Sequence, residues 1–171
     1  SLSKEQEVND LVTENINLAK EDFDSFENSW DFTTHPFIKY KTSTGKLLDA
    51  YLQWEKVANS RFNKVKENEE KLNEIFLDIY NVKDGFKSEV EEKDVTIYKA
   101  EKVRDVKSFL SYVVGCVLGR YNLDDLGSVY TGEVWDIDKY KTFTPVIDNC
   151  VVITDNEDYE EDIIYYLKKF L

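Results

Sequence analysis

Lys46–Tyr80 reads KLLDAYLQWEKVANSRFNKVKENEEKLNEIFLDIY. Its apolar residues fall at Leu47, Tyr51, Trp54, Ala58, Phe62, Val65, Leu72, Ile75 and Ile79. Spacings of three, four and seven place them on one narrow stripe, the pattern of a helix that packs along another helix. At 1.5 Å per residue such a helix is roughly 50 Å long. Between Lys64 and Lys71 nearly every residue is charged, so that part is expected to be solvated on most sides.

Upstream, Val8, Val12, Ile16, Ala19, Phe23, Phe26 and Trp30 recur at helical spacing and predict a first helix over Ser3–Trp30. Ser3 and Gln6 fit a capping box. Asp31–Gly45 holds Thr33, Thr34, Pro36, Ser43, Thr44 and Gly45, which is loop chemistry. Two long helices joined by a loop most simply fold back as an antiparallel pair. Residues 1–81 therefore read as a long helical hairpin.

Downstream, Asn81–Ser88 is a turn region in which Asn81 and Gly85 both tolerate positive φ. Val95, Ile97 and Tyr98 suggest a short strand. A third helix is predicted over Glu101–Tyr121, with Val103, Val106, Leu110, Val113, Val117 and Tyr121 as its main stripe, widened by Phe109, Val114 and Leu118. Gly115 and Gly119, one turn apart, would admit another backbone. In the irregular Asn122–Thr154 stretch, Val129-Tyr130, Glu133–Trp135, Phe143 and Val151–Ile153 are candidate short strands or packed loop. Thr154 or Asp155 can cap a last helix with Ile163, Ile164, Leu167, Phe170 and Leu171 on its inner face. The fold class expected is mainly α: a helical hairpin over 1–81, then a smaller α-rich module with minor β over 82–171. The chain starts without Met and stops inside this last helix, so a longer natural protein is expected.

Acidic residues number 35 against 22 basic ones, a formal net charge of −13. DNA-gripping proteins usually cluster Lys and Arg, so the chain as a whole is expected to bind DNA poorly. The cations that could meet a phosphate are Lys99, Lys102, Arg104 and Lys107 at the start of the third helix and Arg120 at its end. Of these, Arg104, Lys107 and Arg120 form the best candidate face, although Glu101 and Asp105 beside them favour an ordinary exposed flank. Cys116 and Cys150 both read as buried small hydrophobes in a reducing compartment. No secretory signal and no long apolar span is visible, so a bacterial cytoplasmic protein without membrane contact is expected.

Chemistry is sparse. Zinc needs about four Cys, His or acidic ligands at close spacing, and one histidine with two distant cysteines does not supply them. A Ser-His-Asp triad would need His35, which lies in a loop beside Pro36 with no nucleophile motif in sight. Glu69-Glu70-Lys71 and Glu91-Glu92-Lys93 match the acid-x-Lys pattern of metal-dependent nucleases, but charge runs of this kind are usually solvated faces. No P-loop and no G-x-G-x-x-G turn is present. Methyl transfer to adenine requires a clamp for the extruded base, typically Asn-Pro-Pro-Tyr, and the only prolines, Pro36 and Pro145, are far apart. No catalytic, cofactor-binding or metal residue is assigned.

Ordered stretches nonetheless carry a family likeness. They are Ser25–Phe32 (SFENSWDF) with His35-Pro36, Arg61-Phe62-Asn63, Asn68–Phe76 (NEEKLNEIF), Ile79-Tyr80-Asn81-Val82, Glu89–Ile97 (EVEEKDVTI), Ser108–Tyr112 (SFLSY), Val114-Gly115-Cys116, Gly119-Arg120-Tyr121, Ile153-Thr154-Asp155 and Tyr159–Ile163 (YEEDI). Together they resemble a region beyond the catalytic motifs of BREX phage-defence adenine-specific DNA methyltransferases, the PglX family. Asn81 stands where that family often has Gly, Ser88 where Pro is expected, and Tyr98 where Arg is expected, which removes one phosphate contact. The 122–149 stretch matches more loosely.

The resemblance implies a parent enzyme that uses S-adenosylmethionine, meets DNA through its other domains and has other defence-system proteins as candidate partners. It implies for this chain a non-catalytic helical spacer between catalytic and target-recognition parts. The alternative is a stand-alone acidic DNA mimic, or interaction protein, whose carboxylates imitate phosphates and inhibit a DNA-binding enzyme.

Overall fold

Helix α3, Leu47–Tyr80, is the spine of the molecule. The computed structural model describes residues 2–82, 85–154, 156 and 159–171. Helices α1 (Leu2–Phe23) and α2 (Pro36–Lys39) pack on that spine, α4 (Lys102–Val117) meets it in the apolar core, and α5 (Ile163–Phe170) packs on α4. The fold is mainly helical, as the sequence predicts. The expected short strands do not form: among the described residues β-pairing is limited to an isolated parallel bridge between Val152 and Asp162. Val95 and Ile97 are buried but follow a 3-10 turn over Glu92–Asp94, and they pack on α3 without strand pairing.

The contacts between α1 and α3 have a regular register. Lys4 pairs with Asp78, Glu7 with Lys71 at 2.8 Å, Glu14 with Lys64 at 3.5 Å, and Asp22 with Arg61 at 3.5 Å. Partner numbers fall on α3 as they rise on α1, so the two helices run antiparallel. The exposed pairs contribute little each, typically about 0–1 kcal/mol. The inner face of α1 differs from the apolar stripe expected. Lys4, Val8, Leu11, Asn15, Leu18 and Asp22 are buried or half-buried, whereas Val12, Ile16 and Phe23 are exposed. The seam holds polar residues because α3 offers each a partner. Asn68, itself buried, donates to Asn15 Oδ1 at 2.9 Å and to Glu14 Oε2 at 2.8 Å.

Helix α1 stops at Phe23 rather than continuing to Trp30. Ser25 Oγ turns back to the Glu21 carbonyl at 2.7 Å, and Ser29 Oγ bonds Asp24, so side chains take over the backbone's local bonding. The following segment is not all loop: His35 caps α2, its Nδ1 accepting from Phe37 N at 3.2 Å, with Pro36 at the first helical position. Helix α4 likewise ends at Val117, short of Tyr121. Its N-cap is Glu101, whose carboxylate accepts from Arg104 N at 2.6 Å and Val103 N at 3.0 Å; those bonds hold its carboxyl below the usual range.

One apolar core joins both sides of position 81. Ala50, Tyr51, Trp54 and Ala58 of α3 meet Phe109, Tyr112, Val113, Cys116 and Val117 of α4, together with Phe32, Phe37, Tyr121, Phe143 and Val146. A second, smaller core gathers Phe62, Val65, Val95 and Ile97 farther along α3. The buried face of α4 therefore runs through Asp105, Phe109, Tyr112, Val113, Cys116 and Val117, while the expected stripe residues Val103 and Leu110 are exposed. Gly115 and Gly119 admit aromatic rings, not another backbone: a Cβ would stand 2.6 Å from the Tyr121 ring at Gly115 and 2.4 Å from the Trp135 ring at Gly119.

Helix α5 packs Ile163, Tyr166, Leu167 and Phe170 on the larger core, and Leu171 is exposed. Its cap is Asp162, which accepts from Ile164 N at 2.7 Å; Thr154 donates to that same carboxylate instead of capping the helix itself. Asp155, the other residue expected there, lies outside the described residues. Cys116 is buried, and burial pushes its thiol up to about 12. Cys150, expected inside, is exposed.

Candidate nucleic-acid interface

The three candidate cations have different surroundings. Arg104 opens the first turn of α4 and turns inward. Its Nε donates to Asp105 Oδ1 at 2.7 Å and its Nη2 to the Lys99 carbonyl at 3.0 Å. The guanidinium lies 5.4 Å from the Phe26 ring centre and 5.8 Å from that of Tyr98. Asp105 is fully buried, and its other oxygen accepts from Trp54 Nε1 at 2.9 Å and Glu101 N at 3.0 Å. Arg104 thus balances a buried carboxylate and ties the loop before α4 to the core.

Lys107 is exposed, one turn farther along α4. Arg120 is exposed beyond the end of α4, with its guanidinium 5.3 Å from the Tyr121 ring centre. It borders a cleft of about 680 Å³ that is also lined by Glu27, Asn28, Trp30, Asp31 and Ser128. Trp30 is fully exposed there, although helical periodicity placed it on an inner face.

The acid-x-Lys matches are engaged elsewhere. Lys71 faces Glu7 across the α1–α3 seam, and Glu70 accepts from Val90 N at 3.1 Å. Lys93 pairs with Glu91 at 2.7 Å, and Glu92 with Lys99 at 2.6 Å. Among the described residues no group of three or more His, Cys, Asp or Glu is placed to hold a metal ion. His35 is packed against Phe37, Phe109 and Tyr112, and burial lowers its pKa to about 3. Among the described residues no helix is long and apolar enough to cross a membrane.

No family model matches the chain. Individual proteins do. Over 170 residues, covering 96% of this chain, it is 41% identical to an adenine-specific methyltransferase PglX of Lacticaseibacillus casei (strain Zhang). The chain is homologous to one segment of the PglX-family methyltransferases. A second relative, the adenine-specific methyltransferase BrxX of Escherichia coli O9:H4 (strain HS), is 27% identical over 98% of the chain. The chain spans only 14% and 16% of the lengths of these two relatives. The PglX likeness therefore concerns a small part of a much longer enzyme, and it covers α1 through α5 almost without remainder.

Proposed function

We propose that the chain is a non-catalytic helical spacer of a BREX-type adenine-specific DNA methyltransferase, holding catalytic and target-recognition parts in register. The observation that carries this reading is identity of 41% along 96% of the chain to a stretch that is only 14% of a methyltransferase. Residues 1–81 supply the rod, two long helices braced as a hairpin. Residues 82–171 supply a module seated on its loop end. S-adenosylmethionine belongs to the parent enzyme, and so does the grip on DNA. Lys107 and Arg120 keep exposed cations that can add phosphate contacts, whereas Arg104 is occupied by Asp105. The setting is the bacterial cytoplasm, with other phage-defence proteins as further partners.

The net charge of −13 favours one rival, an acidic DNA mimic. One exchange separates the two readings. In the L. casei methyltransferase, this chain replaces the matching stretch, and N6-methyladenine is measured in host DNA. The spacer reading expects methylation with the exchange and none when the stretch is deleted. An isolated chain that binds S-adenosylmethionine at micromolar affinity, or that competes with DNA for a defence enzyme, overturns it.

A further inference from the structure

The far end of α3 carries exposed apolar side chains, Phe76, Ile79 and Tyr80. Lys4, near the start of α1, pairs with Asp78, and α3 continues beyond that pair through Ile79 and Tyr80. There α3 stops on Asn81, left-handed at φ 53°, and Val82 N donates back to the Leu77 carbonyl at 3.2 Å. This cap reverses the chain and brings Val82 and Phe86 beside Phe76 and Tyr80, around a groove of about 240 Å³.

The groove is aromatic and open. Phe76 and Tyr80 stack with ring centres 6.4 Å apart, and Tyr80 and Phe86 are 70% and 67% exposed. Ile79 and Val82 extend the patch and are also exposed. Contiguous apolar surface of this kind marks an interaction site, and aromatic centres with a charged rim are the usual anatomy of one. Lys87 lines the groove itself, and the adjoining depression, which shares Leu77, Phe86 and Lys87 with it, adds the exposed carboxylates of Glu74 and Glu89.

We infer that this groove docks an apolar face with a basic rim, located on the remainder of the methyltransferase polypeptide. The inference rests on the spacer reading. Two observations select this occupant. The matched stretch is 14% of the L. casei relative, so most of such a chain lies outside it and must pack somewhere. A part that holds DNA needs Lys and Arg for the phosphates, which complements the acidic rim. A second copy of this chain would set carboxylates against carboxylates on a molecule of net charge −13.

The test uses the L. casei methyltransferase carrying this chain in place of its own stretch. A benzophenone amino acid is placed at Tyr80 or Phe86, with exposed Ile16 on α1 as the control. After irradiation, mass spectrometry maps the cross-linked peptides. Cross-links from Tyr80 and Phe86, but not from Ile16, to peptides outside the exchanged segment are expected. Cross-links to a second copy of the segment, or none, overturn the inference. In parallel, Tyr80→Asp with Phe86→Asp is expected to lower methylation at least tenfold, with the circular dichroism of the isolated 171-residue chain unchanged. Methylation that persists in the double variant also overturns it. An unsubstituted exchange that methylates without cross-linking removes the docking inference alone, and one that does neither removes the spacer reading with it.

Discussion

The indole Nε1 of Trp54 donates to Asp105 Oδ2 at 2.9 Å, joining α3 to α4 inside the larger core. Asp105 has no exposure, and its remaining bonds go to Arg104 Nε and Glu101 N. A hydrogen bond to a charged group contributes about 1.5–3 kcal/mol. Trp54→Phe is therefore expected to lower stability by about that amount in urea unfolding. Asp105→Ala leaves Trp54 Nε1, inside the core, without its acceptor and should cost at least about 1–3 kcal/mol. Equal stabilities for wild type and both variants would show that the bond does not hold the helices together.

Arg61 is buried in the α1–α3 seam, against Trp54 and between Glu21 and Asp22. Desolvation raises the Asp22 pKa, and Arg61 opposes that rise. Because the folded pKa stands above the unfolded value, this group's stabilising contribution is full at low pH and fades as pH climbs through the folded pKa. Arg61→Ala removes the opposing charge. It should destabilise the protein by roughly 3–5 kcal/mol at neutral pH and by less at acid pH, where Asp22 is protonated. Urea melts at two pH values measure the difference, and a pH-independent loss would refute this account of the seam.

His35 is the only histidine, and burial among aromatic rings depresses its pKa to about 3. The unfolded chain then binds a proton that the folded chain refuses as pH falls below the ordinary histidine value of about 6.5. Between pH 6.5 and 5, before most carboxylates titrate, stability should fall by up to about 1.4 kcal/mol per pH unit. His35→Asn keeps a capping side chain for α2 and removes this titration. Its stability should be flatter over the same window, and an unchanged slope would locate the pH dependence elsewhere.

Gly119 has φ +77°, and a Cβ there would also stand 2.4 Å from the Trp135 ring. Gly119→Ala meets both obstacles and should cost roughly 1–3 kcal/mol. Chemical denaturation measures it, and a neutral result would mean that the Trp135 loop moves freely away.

Helix α3 was legible in the sequence nearly to the residue, because a long narrow stripe with a left-handed Asn after it has few other readings. The ends of α1 and α4 were not, because the helical spacing runs on into residues whose burial comes from other contacts. Phe26 packs on Trp54 beyond the end of α1, and Tyr121 stacks on Tyr112 beyond the end of α4. The short strands expected in 122–154 were suggested by β-branched and aromatic residues. There, side chains satisfy the backbone instead: Asn122 donates to the Lys139 carbonyl at 2.7 Å, and Asp124 accepts from Lys141 N at 2.8 Å and Thr142 N at 3.0 Å. Among the candidate DNA contacts, charge and spacing identified Arg104, but periodicity gave no sign that its neighbour Asp105 points into the core and engages it.

The spacer account is tested most directly by changing the length of the rod. Seven residues inserted into α1 and seven into α3, at facing positions of the seam, lengthen it by roughly 10 Å and keep the buried faces aligned. In the L. casei methyltransferase carrying this chain, the account predicts unchanged S-adenosylmethionine binding by calorimetry and a large loss of adenine methylation. Methylation at the rate of the uninserted protein would contradict it.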